Sequence, residues 1–287
     1  MEKIPVAVIG GSGLYHMPDL ERVREVRVTT PFGAPSDALI VGELGGVPIA
    51  FLPRHGRGHV LTPSEVPYRA NIYALKSLGV QHIIAVSACG SLRESLKPGD
   101  VVIPDQLFDF TKERRRSFFG EGLVAHISAA DPFCPDLSAV VADACAAAGA
   151  RVHRGGTFIT IEGPRFSTKA ESYVYRSWGM DIIGMTTSPE AFLAREAGLC
   201  YAVMAHITDY DVWHENEAPV TVEMVTQRLN ANITLAQHAI ADSVERLKTL
   251  ESHCDCAQAL ATALITAPEC IPTATREKLQ LLTGAGK

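Results

Sequence analysis

Apolar and polar positions divide the chain into short apolar runs separated by longer stretches of helical period. The runs at 5–9, 81–88, 157–161, 181–184 and 201–207 are apolar almost throughout rather than alternating. That pattern suits strands buried on both faces. Residues 101–110 read as one further strand, and 38–44 and 47–52 flank Gly45-Gly46 as a hairpin. The stretches at 63–78, 136–148, 169–178 and 189–197 predict helices; Gly79 stops the first, and Thr187 or Ser188 is placed to cap the last, with Pro189 and Glu190 in its first turn. One long helix is predicted over 221–250, and one more helical stretch in the tail. Strands alternate with helices, no Ser/Gly/Pro-rich linker intervenes and no internal repeat is seen, so the chain reads as a single α/β domain over 1–287, with 251–287 as a C-terminal extension.

The ends of these runs carry the polar chemistry. The run at 201–207 leads into Thr208-Asp209-Tyr210-Asp211, and in open α/β sheets ligands bind outside the carboxyl ends of the strands. If the backbone stays extended, residues two apart face the same side, so both carboxylates would share one crevice. They are open to three readings: solvated loop acids, a divalent-cation pair, or an acid pair that holds a heterocyclic base and protonates it as it leaves. Two close carboxylates raise each other's pKa, which favours a protonated partner. The cation reading lacks supporting acids nearby.

Gly10-Gly11-Ser12-Gly13-Leu14 follows another apolar run, as backbone N–H groups gathered around an anion do. It is neither a dinucleotide fingerprint, since His16 stands where a third glycine belongs, nor a P-loop. Arg54, His55, Arg57 and His59 lie among glycines after the hairpin, as an anion site or a flexible basic turn. Ser87-Ala88-Cys89-Gly90-Ser91 offers hydroxyl and backbone donors. Residues 112–126 form a long loop of the kind that covers a site, and its basic run 112–116 reads as solvated or as a subunit contact.

Composition narrows the classes. With 287 residues, 47% hydrophobic, 20% charged and a net charge of −6, the chain is an ordinary globular one without the clustered basic surface that nucleic acid requires. Neither an apolar membrane span nor a leader is evident, and a cytoplasmic location is expected. Seven cysteines in such a chain are expected to be reduced. Cys254-Asp255-Cys256, after His253, is the one tight cluster, suited to a short-loop disulfide or part of a metal site, with no fourth ligand evident in the sequence.

Taken in order, G-G-S-G-L at Gly10, R-H-G at Arg54, S-A-C-G-S-L at Ser87, E-G-P-R-F-S at Glu162, M-T-T-S-P-E at Met185 and T-D-Y-D at Thr208 closely resemble the purine nucleoside phosphorylase superfamily, and within it the 5′-methylthioadenosine phosphorylases. The resemblance covers roughly residues 5 to 225. It implies a central mixed β-sheet flanked by helices and phosphorolysis of a purine nucleoside, with phosphate as co-substrate and neither cofactor nor metal. Carried over by position, Ser12, Arg54, His55, Ser87, Ala88 and Thr186 would form the phosphate pocket, with Ser12 and Ser87 where relatives often have threonine. Asp209 and Asp211 would hold the purine N7 and 6-amino group, with Asp209 as the proton donor. Ser167, Phe166 and Ile183 would line the base, and Met185 the ribose. Val222, Val225 and His126 would meet the 5′ substituent. Adenine selection follows from donor and acceptor matching, since a carboxylate accepts from the amino group and repels a 6-oxo group. The family implies a homotrimer or homohexamer in which a neighbour completes the pocket, with no nucleic-acid or membrane partner. The alternative within the fold is a 6-oxopurine nucleoside or methylthioinosine phosphorylase. An oxidoreductase, a purine sensor and a calcium-dependent nucleoside hydrolase each leave some of the motifs unexplained.

Overall fold

The computed structural model describes residues 3–215 and 221–284. Eleven strands form one mixed sheet among the described residues: β1 (Val6–Gly10), β2 (Glu21–Val26), β3 (Leu39–Leu44), β4 (Val47–Pro53), β5 (His82–Ser91), β6 (Val101–Ile103), β7 (Gln106–Phe110), β8 (Val152–Arg154), β9 (Thr157–Ile161), β10 (Ile182–Gly184) and β11 (Cys200–Asp209). Seven α-helices accompany it among the described residues: α1 (Tyr68–Ser77), α2 (Pro135–Ala147), α3 (Lys169–Ser177), α4 (Thr187–Glu196), α5 (Val222–Ala231), α6 (Ile233–Leu247) and α7 (Thr273–Thr283).

The continuous apolar runs are explained by a sheet covered on both sides. Along β11, Tyr201, Val203, Ala205 and Ile207 face one core, which contains Ile72 and Leu75 of α1, Leu193 and Ala194 of α4 and Leu279 of α7. Cys200, Ala202 and Met204 face the other, with Val141 and Cys145 of α2 and Ala239 and Ile240 of α6. The period-two alternation of side chains distributes one strand between both layers.

The sheet order is β2-β3-β4-β1-β5-β10-β9-β7, with β11 paired to β5 and β6, and β6 to β8. β5 therefore has three neighbours. Parallel β11 runs along one side of it. The other side is held by β1 at residues 82–85 and by antiparallel β10 at Gly90 and Ser91. The intervening residues, 86–89, pair with neither β1 nor β10. This fork is where the ends of β1, β5, β10 and β11 converge.

Several sequence expectations are corrected. The single strand expected at 101–110 is two strands in different parts of the sheet, β6 beside β11 and β7 beside β9, because Pro104-Asp105 breaks the ladder. The helix expected from residue 63 begins after Pro67, at Tyr68. The long helix at 221–250 is two, parted at Asn232 (φ −99°, ψ 1°). β2 and β8 were not expected: β2 is almost wholly exposed and carries no apolar run. Part of the loop expected before Pro219 lies outside the described residues.

Candidate active site

β11 delivers the two acids through an irregularity. Its pairing with β5 shifts between Ile207 and Asp209, so Thr208 is an extra residue, and Asp209 lies opposite Gly90. A bulge re-aims the side chains beyond it. The strand then ends, and Asp211 sits in a turn with φ 52°. The extended i, i+2 geometry expected from sequence is thus absent. The acids meet because the Asp211 N–H donates to Asp209 Oδ1 at 2.8 Å, while Thr208 Oγ1 donates to Oδ2 at 2.7 Å. Gly90 makes room beneath them, since a Cβ there would lie 2.9 Å from Ile183 Cγ2 and 3.0 Å from Asp209 Oδ1.

Burial raises the Asp209 carboxyl to about 6, against the hydrogen bonds from Thr208 and Asp211 N–H; mutual repulsion from Asp211 adds a smaller upward push. The sequence reading had placed the weight on that repulsion. Asp211 is also raised, again chiefly by burial, and the hydroxyls of Ser172 and Ser167 on α3 and its preceding loop oppose the shift. None of these contacts closes: Asp211 Oδ2, Ser167 Oγ and Ser172 Oγ are buried without a hydrogen-bond partner among the described residues. Buried polar atoms are rarely left so, and these suit a ligand that both donates and accepts. Ile183 is buried beside Gly90, while Phe166 and Met185 are partly exposed.

The fork collects the expected anion residues. Ser87 is buried and its Oγ lacks a partner, and Ala88 is half-buried next to it. Thr186 is buried immediately before α4. Thr187 and Ser188 do not cap that helix as expected: Ser188 is extended (φ −100°, ψ 135°), and both hydroxyls are buried without partners. The backbone of Ser12 lies in a short 3-10 turn after β1; its side chain lies outside the described residues.

Arg54 occupies the fork differently from the sequence reading. Nε and Nη2 form a bidentate pair with Glu190, each at 2.8 Å, and Nη1 donates to Val86 O at 3.0 Å and Nη2 to Ile9 O at 3.4 Å. Burial opposes the guanidinium charge, and the Glu190 carboxylate more than restores it. Of five N–H donors, four are engaged with the protein, leaving one on Nη1 for an external anion. Its larger task is to close the gap between β1 and β5. Tyr201 donates to the same Glu190 carboxylate at 2.7 Å.

His55 Nδ1 lies 2.9 Å from Leu61 O, so Nδ1 carries the hydrogen. Burial, then the Arg54 charge, depress its pKa to about 4. The ring is neutral near pH 7, and Nε2 presents a lone pair. On that side the ring can accept a hydrogen bond and has no hydrogen of its own to give.

Two residues were missed. Glu190 stood within a quoted motif but had only a helix-end role. Arg114 was dismissed with the basic run at 112–116, yet it is buried, and Nη1 donates to Met185 O at 2.6 Å and Ser188 O at 2.7 Å, while Nη2 donates to Glu162 O at 2.7 Å. It clamps the segments after β9 and β10 together. A run of like charges carries no sign of which member turns inward; only its neighbours in space reveal that.

His126 is exposed, with its N–H on Ala263 O of the tail, and Val222 at the start of α5 is 70% exposed, whereas Val225 is partly buried. The described residues of one chain do not enclose the three. Among the described residues, the grouping suited to a metal ion is Cys134, Cys200, Cys254 and Cys256, at the other end of β11 from the acids. No helix of the described residues is long and apolar enough to cross a membrane.

Such a fork, with unpartnered buried hydroxyls and a buried acid pair, defines a class that comparison identifies. The family model of the phosphorylase superfamily matches residues 5–245, and the chain belongs to that superfamily. Among curated relatives, it is 54% identical over 286 residues to the S-methyl-5′-thioadenosine phosphorylase of Geobacter sulfurreducens, covering 99% of each chain. It is 55% identical over 289 residues to that of Chloroflexus aurantiacus, again covering 99% of each. Its structure is similar to that of a methylthioadenosine phosphorylase from an Antarctic soil metagenomic library (TM-score 0.94, 49% identity, 98% of this chain and 99% of that one). It also resembles the Schistosoma mansoni methylthioadenosine phosphorylase in complex with adenine (TM-score 0.82, 40% identity, 87% and 93%).

Proposed function

We propose that this protein phosphorolyses 5′-methylthioadenosine, giving adenine and 5-methylthioribose 1-phosphate, as a step of purine and methionine salvage. The observation that carries the reading is the buried Asp209–Asp211 pair at the fork where the Ser87 hydroxyl is buried without a partner. The relatives' names agree with it. Phosphate, the co-substrate, is received by Ser12, Ser87, the Ala88 backbone, Thr186, His55 and the remaining Arg54 donor. It lies against the anomeric carbon and stabilises the ribosyl cation as that carbon loses the base. Asp209 donates its proton to N7 of the departing purine, and Asp211, with Ser167, accepts from the 6-amino group. Phe166 and Ile183 pack on the base and Met185 on the ribose. The reaction draws on no cofactor.

Val222, Val225 and His126 serve the 5′ group in an oligomer, a trimer or a hexamer, in which a neighbouring subunit covers the exposed side of α5. Residues 1–287 act as one domain of a cytoplasmic enzyme, with 251–287 as its extension. An apolar wall at the 5′ position favours methylthio over hydroxyl by about 1–3 kcal/mol.

Purified protein is incubated with 5′-methylthioadenosine, adenosine and inosine, each with and without phosphate, and base release is followed. The expected result is phosphate-dependent adenine release, fastest from methylthioadenosine. Faster release from inosine would overturn the adenine-selecting role of Asp209 and favour a 6-oxopurine enzyme. Release that ignores phosphate would overturn phosphorolysis itself.

A further inference from the structure

Four of the chain's seven cysteines meet at one point. The sulfurs of Cys134, Cys200, Cys254 and Cys256 all lie within 4.8 Å of one another, with Cys200 and Cys254 at 3.5 Å; all four are free thiols, three of them buried and Cys254 partly so. They arrive on three separate pieces of chain: Cys134 at the amino end of α2, Cys200 at the first residue of β11, and the C-x-C pair on the tail. Ordinary core packing gives no reason to assemble four sulfurs from such distant positions.

The surroundings suit a bound cation and its thiolates. Leu137 N–H at the start of α2 points to Cys134 Sγ at 3.5 Å, and Ser252 Oγ lies 3.3 Å from Cys254 Sγ. Arg195, itself nearly buried, places Nη1 3.9 Å from Cys256 Sγ while Nη2 lies 3.2 Å from Asp255 Oδ1. A tetrahedron with metal–sulfur bonds of about 2.3 Å has sulfur–sulfur edges of roughly 3.8 Å. The observed knot is within a small contraction of that, and it leaves no position for water. Four soft thiolates reject calcium and magnesium, and a closed tetrahedral set of them suits a single zinc ion.

We propose that Cys134, Cys200, Cys254 and Cys256 form a closed, structural zinc site that fastens the C-terminal tail to the amino ends of α2 and β11. Zinc binding converts four thiols to thiolates and releases four protons to solvent, leaving a complex of net charge −2 that the Arg195 guanidinium partly offsets. The tie adds to the polar contacts that hold the tail here: Asp136 Oδ2 accepts from the Ser252 hydroxyl and the N–H groups of His253 and Cys254, and Arg195 pairs with Asp255. Beyond the knot, the tail continues to the 120–126 loop, where Ala263 O receives His126 N–H and Glu121 O receives the Thr275 hydroxyl. The site is independent of the substrate assignment.

The test begins with the unmodified full chain, purified under reducing conditions without chelator and analysed for metal by mass spectrometry. About one zinc per chain is expected, released in step with mercurial titration of the protein thiols. Cobalt loaded in its place is expected to show the intense visible bands of a tetrahedral four-sulfur complex. Cys254→Ser and Cys256→Ser should each lower bound zinc at least about tenfold, whereas Cys270→Ser, at an exposed cysteine outside the knot, should leave it unchanged. Metal-free reduced protein, or iron in place of zinc, would overturn the proposal. So would intramolecular disulfides among these four cysteines in protein purified without reductant and alkylated under denaturing conditions. The metal content and cobalt spectrum of the parent decide the matter even if a serine variant fails to fold.

Discussion

The two ends of β11 bury acidic groups by opposite means. At the carboxyl end, Asp209 and Asp211 are pushed towards their neutral forms by burial, against hydroxyl and N–H donors and, at Asp209, the smaller opposing charge of Arg228. At the amino end, Cys200 joins three other thiols close to the Arg195 guanidinium. The first arrangement keeps a proton ready for transfer; the second invites replacement of protons by a cation. Burial disfavours charge at both ends, and the identity of the neighbours decides whether the result is an acid or a ligand set. On the two proposed assignments, the ten residues of one strand carry a reactive end and a fastening end.

The sharpest way to break this comparison is at the reactive end. Asp209→Asn keeps the shape and removes the transferable proton, and kcat for methylthioadenosine is expected to fall by about 10²–10⁴ with a smaller change in KM. Steady-state kinetics check this, and an unchanged kcat would remove Asp209 from the proton-donor role. Between the two ends lies the Glu190 carboxylate, bound by Arg54 and by Tyr201. Glu190→Gln leaves a buried guanidinium without its counter-charge, and denaturant unfolding is expected to show a loss of about 3–5 kcal/mol.

The acid itself carries a stability signature. Its carboxyl is raised in the folded state from 3.8 to about 6, so the folded protein holds this proton more tightly than the unfolded chain. The associated stability is fully present below about pH 4 and is lost as pH rises through about 6, by up to about 3 kcal/mol. Asp209→Asn has no such proton to lose. The variant is expected to gain on the parent across this window and to remain the more stable at pH 7.5, while being far less active. Parallel melting curves from pH 4 to 7.5 check it, and a constant difference would show that burial does not hold the proton. A smaller effect is expected at Gly90→Ala, where the new methyl crowds Asp209 and Ile183. A cost of about 1–3 kcal/mol is expected, together with a lowered kcat, measured by melting and turnover.

How much of this was legible follows the range of the interactions. The buried strands were visible because a sheet covered on both faces needs uninterrupted apolar residues, and the motifs at Gly10, Ser87, Met185 and Thr208 all lie on the β1, β5, β10 and β11 ends that the fork brings together. Two breaks inside elements were harder: Pro104 within an apolar run and Asn232 within a helical period are single-residue events whose effect tertiary packing decides. The inward turn of Arg114 and the pairing of Arg54 with Glu190 join residues distant in sequence, 71 and 136 positions apart for Arg114–Met185 and Arg54–Glu190. The C-x-C pair was conspicuous, but Cys134 and Cys200 looked like unrelated core thiols until the start of β11 and the cap of α2 placed them beside it.

The Arg54–Glu190 pair also bears on how such a chain can change through descent. Either residue altered alone strands a buried charge, so each one's substitution is admissible only in the company of the other's. The two positions should behave as one heritable unit. Libraries that vary them singly should return the parent residues, and those that vary them jointly should recover matched apolar pairs that fold.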